Sequence, residues 1–130
     1  MMPPDRLSPD DPREWLNRAK GNLALAKSGI AEAYLEDLCF EAQQAAEKAI
    51  KAVMIRRNIE FPYVHDLARL LSLLEAQGES FPGIVRKAEE LTRYALVTRY
   101  PGFARPVSPQ EHAEAVAIAE EVIQWAEERL

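Results

Sequence analysis

The sequence predicts an all-α fold, an up-and-down antiparallel bundle of four to five helices. Apolar residues recur at spacings of three and four along most of the chain, no segment alternates with a period of two, and the turn-forming residues cluster in four loops. The 130 residues, 48% hydrophobic and 28% charged, suit one packed domain rather than a disordered chain. Short connections favour antiparallel neighbours over an orthogonal, globin-like packing. That domain is expected over residues 12–130, behind a flexible segment, residues 1–11, that contains Pro3, Pro4 and Pro9.

The first helix opens at Asp11-Pro12-Arg13-Glu14, where Asp11 can cap, Pro12 suits the first helical position, and Glu14 can reach back to a free amide. Its stripe is Trp15, Leu16, Ala19, Leu23 and Ala26, and it runs to Gly29. The second helix is the longest, from Ala31 to Arg57, with a broad alanine-rich stripe that includes Ala42, Ala45, Ala46 and Ala49. Side chains this small let helices approach closely. The stripe is wider than one short neighbour should cover, so a homodimer is expected. The third helix, His65 to Gln77, turns Leu67, Leu70, Leu71 and Leu74 inward and stops at Gly78. The fourth follows Ser80-Phe81-Pro82-Gly83 and carries Ile84, Val85, Ala88, Leu91, Tyr94 and Ala95. After a loop at residues 98–103, Ser108-Pro109-Gln110-Glu111 forms a second capping box and opens the last helix.

Charge and cysteine content narrow the function. The net charge of −5 disfavours a general nucleic-acid coat, yet residues 48–105 hold ten Lys/Arg against six Asp/Glu, while residues 106–130 hold one Arg against six Glu. A local basic surface is therefore expected. The lone Cys39 lies in an apolar helical run, which fits a buried thiol and a cytoplasmic setting. No apolar run approaches the ~20 residues that span a bilayer. Two isolated histidines and one cysteine give no metal-ligand spacing, and neither a Gly-rich phosphate loop nor a nucleophile elbow is present, so no cofactor is expected.

Several residues are candidates for binding. Lys48, Lys51, Arg56 and Arg57 follow Glu47 with no further acid before Glu60, which makes either a solvated face complementing the helix dipole or a strip for phosphates. Gln43 and Gln44 could touch a base edge, although a buried interhelical hydrogen bond is the commoner use of an amide. His65 could bind phosphate or act as an acid, or simply mark a helix entry. Arg99 and Tyr100 place a guanidinium beside an aromatic ring at a helix exit, a pairing that can hold a phosphate and stack a base. The competing role pairs Arg99 with an acid of the last helix. Arg93, six residues earlier, joins the same cluster if the helix ends near Val97.

Three segments together resemble the HEPN (higher eukaryotes and prokaryotes nucleotide-binding) domain family: residues 39–51 (CFEAQQAAEKAIK), His65-Asp66-Leu67 with Leu70 and Leu71, and Thr98-Arg99-Tyr100-Pro101. The resemblance implies a dimeric helical bundle, usually encoded beside a minimal nucleotidyltransferase, often as a toxin–antitoxin module. In catalytic members an Arg followed after four to six residues by His cuts RNA without metal. Arg105 and His112 have that spacing here, with Pro106 where the nucleases usually carry a polar residue. The Arg-Tyr-Pro at 99–101 resembles the branch without a plain nuclease motif. The leading expectation is thus a non-catalytic dimeric partner of a nucleotidyltransferase with nucleotide or RNA contacts. The alternatives are a metal-independent endoribonuclease toxin using Arg105 and His112, and a structural dimerisation module.

Overall fold

The computed structural model describes residues 2–96 and 106–130. Their secondary structure is helical: α1 (Pro12–Ala26), α2 (Leu35–Arg56), α3 (Leu67–Ala76), α4 (Gly83–Arg86), a 3-10 turn (Lys87–Leu91), α5 (Thr92–Leu96) and α6 (Pro109–Glu127). The all-α bundle expected from periodicity is what forms.

Three long helices frame the core, and Leu67, Leu70, Leu71 and Leu74 of α3 with Val85, Ala88 and Leu91 complete it. Lys20 pairs with Glu127 at 3.4 Å and Lys27 with Glu120 at 3.0 Å, so α1 and α6 run antiparallel. At the other contact, Glu36 at the start of α2 accepts from the Val107 amide just before α6, at 3.0 Å. Both helices end on Glu79, which Arg57 meets at 2.8 Å and Arg129 at 2.7 Å. Hence α2 and α6 run parallel, and α1 opposes both. Residues 67–96 form the crossover between them, tied together where the Leu67 amide donates to the Thr92 hydroxyl at 3.1 Å.

The caps act where their chemistry requires. Asp11 accepts from the Arg13 amide and Asp66 from the Ala68 amide, while Ser108 and Glu111 form a reciprocal capping box. Each satisfies amides that a helix start leaves without partners.

Helix boundaries depart from expectation in three places. The first helix ends at Ala26 rather than Gly29, and α2 starts at Leu35 rather than Ala31, because Gly29 takes a positive φ of 62° and Ala33 turns back onto the Ile30 carbonyl. The third starts at Leu67, since Asp66 is its cap and leaves His65 outside. The fourth is broken by the 3-10 turn at Lys87–Leu91, which keeps Ala88 and Leu91 buried with no Gly or Pro to announce it.

The breadth of the alanine stripe has a cause within one chain. Ala42, Ala45, Ala46, Ala49 and Ala52 are all fully buried within a single chain. Contacts to α1 on one side and α6 on the other use up the stripe, so it leaves no open face for a second copy. The polar members of the same helix share that burial: Gln43, Glu47 and Lys51 are each at most 6% exposed. Among the described residues no helix is long and apolar enough to cross a membrane.

Candidate functional site: a carboxylate-anchored histidine

Gln43, Glu47 and Lys51 recur every four residues and so form one line along α2. The line lies inside the buried stripe, where an unpaired polar group costs heavily. Pairing is accordingly complete. Glu47 Oε1 accepts from Gln43 Nε2 and faces His65 Nδ1, both at 2.9 Å, and Oε2 accepts from Lys51 Nζ at 3.0 Å. Gln44 extends the chain by donating to Gln43 Oε1 at 2.7 Å, and Gln43 Nε2 also reaches the His65 carbonyl at 3.5 Å. The amides thus link α2 to the segment before α3, in the structural role the glutamines were expected to favour.

Burial pushes the Glu47 carboxyl up, but the bonds from His65, Gln43 and Lys51, together with the Lys51 charge, outweigh it and hold the group below its ordinary value. Glu47 is therefore an anion. A carboxylate only accepts, so His65 Nδ1 carries the proton and the ring's tautomer is fixed. The His65 side chain is 52% exposed against 6% for that of Glu47. A histidine oriented from behind by a buried carboxylate, with half its surface in solvent, can bind a phosphate oxygen or exchange a proton through Nε2.

The other anticipated residues divide. Lys51 departs from the solvated or phosphate-binding strip expected of it: its ammonium is buried on Glu47 and lies over the Phe61 ring, 5.1 Å from the centroid. Phe61 in turn meets Trp15 edge-on at 5.7 Å. Lys48 is only partly buried and donates to Asn22 Oδ1 at 2.8 Å. Arg93 pairs with Glu111 at 3.2 Å and stacks on Tyr94, which gives it the bond to the last helix that had been weighed for Arg99. His112 donates through Nε2 to the Ala26 carbonyl at 2.8 Å. Arg99, Tyr100 and Arg105 lie outside the described residues. Cys39 is buried, and burial raises its thiol pKa to about 11.

Glu47 itself escaped the sequence reading. The available signal was its place four residues from both Gln43 and Lys51, on a line flanked by Ala42, Ala46 and Ile50.

Fold and site define a small helical-bundle protein that presents one anchored histidine. The chain matches the HEPN domain over residues 12–129 and belongs to that family. The crystal structure of TT1696 from Thermus thermophilus is similar, with a TM-score of 0.79 and 31% identity, covering 93% of this chain and 99% of that one. The crystal structure of ST0689, an archaeal HEPN homologue, has the same fold, with a TM-score of 0.71 and 23% identity over 97% of this chain and 98% of that one. A protein described as "Putative toxin MJ1304", from Methanocaldococcus jannaschii, is 26% identical over 93 residues, or 67% of this chain. The match spans 61% of that relative's length.

Proposed function

We propose that this chain is the HEPN member of a two-gene, toxin–antitoxin-like module. In this role it acts as a homodimeric, cytoplasmic partner of a minimal nucleotidyltransferase and contacts nucleotide or RNA phosphates. Its likeness to the protein described as "Putative toxin MJ1304" supports the module. The observation that carries the contact is the half-exposed His65 ring seated on buried, anionic Glu47. Phosphate recognition needs a donor whose orientation is set in advance, and Glu47 supplies that orientation. Arg99 and Tyr100 are proposed to add a guanidinium and a stacking ring.

With the alanine stripe enclosed, the dimer contact is proposed at the α1–α2 corner, where Leu25, Ile30 and Tyr34 remain exposed. Light scattering at micromolar concentration should give a dimer, and Ile30→Asp with Tyr34→Asp should give a monomer.

Purification of the tagged chain from its native host tests the module directly. Recovery of a nucleotidyltransferase with it, together with RNA binding weakened in His65→Ala, is the expected result. Recovery of the chain alone with unchanged RNA binding would overturn this reading and leave the structural dimerisation role or the ribonuclease role of Arg105 and His112.

A further inference from the structure

A groove of about 520 Å³ lies between the segment before α1 and the facing sides of α1 and α2. Its cations are Arg6, Arg18 and Lys48, and its apolar wall is Leu7, Pro9 and Trp15. That volume is in the range of small-ligand sites, ~300–1,000 Å³. Hydrogen bonds from Leu7 and Trp15 fix the wall: the Leu7 amide donates to Glu14 Oε1 at 2.9 Å, and Trp15 Nε1 donates to the Pro9 carbonyl at 2.8 Å.

Glu14 is the one acid of the lining, and both its oxygens are engaged, Oε1 by the Leu7 amide and Oε2 by Arg18 Nε at 2.7 Å. Three cations thus face one carboxylate. Among the described residues, Arg18 meets Glu14 through Nε alone, which leaves its terminal nitrogens for another acceptor. Lys48 uses one of its three donors on Asn22. Burial, aided by the neighbouring Arg18 and Lys51 charges and opposed by Glu41 and Glu47, holds the Lys48 pKa below its ordinary value. Crowded cations in a partly buried groove repel one another, and an anion placed among them removes that cost.

We propose that this groove binds a small phosphate monoester carrying an apolar ring, its phosphate on Arg6, Arg18 and Lys48 and its ring against Trp15. The fork of an arginine matches two phosphate oxygens, a lysine adds a point charge, and an indole accepts a planar ring by stacking. The site depends on the groove residues and is independent of the His65 contact proposed above.

Isothermal titration of the full chain with adenosine 5′-monophosphate and with phenyl phosphate tests it, with adenosine and inorganic phosphate as the half-ligands. Both esters should bind once per chain, and each half-ligand at least tenfold more weakly. Arg6→Gln and Lys48→Gln should each weaken ester binding at least fivefold; Arg6→Gln alters an exposed position, so folding is not at stake. His65→Ala should leave phenyl phosphate binding unchanged, which separates this site from the histidine's nucleotide contact. Absence of saturable ester binding at millimolar concentration would overturn the proposal, as would equal binding of inorganic phosphate or loss of phenyl phosphate binding in His65→Ala. Binding of a short single-stranded RNA that Lys48→Gln weakens, with neither ester bound, would assign the groove to a polynucleotide and overturn it as well.

Discussion

His112 closes the end of α1: its Nε2 lies 2.8 Å from the carbonyl oxygen of Ala26, the last residue of that helix. A carbonyl only accepts, so this nitrogen bears the proton, and it satisfies one of the acceptors that every helix end leaves open. The bond joins the first turn of α6 to the last turn of α1.

His112→Ala should therefore lower stability by about 1 kcal/mol, the scale of one hydrogen bond, while leaving RNA binding intact. Thermal melting and a binding titration on the same variant check this. RNA cleavage that persists in EDTA and disappears in His112→Ala would instead assign the ribonuclease role to His112 with Arg105.

Among the described residues, Glu47 should be the most costly polar position. Glu47→Ala strands the buried Lys51 ammonium, and breaking such a pair from one side costs about 3–5 kcal/mol. Glu47→Gln keeps the shape and loses the charge. Because the folded-state pKa of Glu47 is depressed, its contribution is present above the unfolded value near 4.5 and is lost as pH falls through the folded value. The difference in melting temperature between wild type and Glu47→Gln should be full at neutral pH and close as pH falls below 4.5.

Glu79 offers a contrast. It clamps Arg57 and Arg129, but those side chains are 38% and 28% exposed and can rehydrate once released. Glu79→Ala should cost about 2 kcal/mol, the range for charge-assisted bonds, and less than Glu47→Ala. Urea denaturation of both variants ranks them.

Arg99→Ala should weaken RNA or nucleotide binding by about 1–3 kcal/mol, the scale of a charged hydrogen bond, with the melting temperature nearly unchanged. A lowered melting temperature with binding retained would assign Arg99 to a structural ion pair.

The parts of the fold legible in the sequence were those decided locally. Asp11 and the Ser108–Glu111 pair cap because their side chains reach amides two or three residues away. Less legible were features set by packing across the chain. The 3-10 turn at Lys87–Leu91 has ordinary helix-forming residues, and only its place in the crossover explains it. Lys51 looks like a surface lysine until Phe61, from the segment after α2, is brought over it and its pair with Glu47 is buried. His65 was visible as a candidate, but the carboxylate that orients it sits 18 residues away, a pairing no local pattern specifies.

The alanines of α2 act as a ruler for everything built on that helix. Methyl groups at Ala42, Ala45, Ala46 and Ala49 set how near its neighbours stand, and a close-packed interior yields little when one of them is enlarged. Widening that gap would move Asn22 away from Lys48 and shift the width of the cationic groove. Binding could thus be retuned from inside the bundle, by a single methylene at a position that no ligand ever meets.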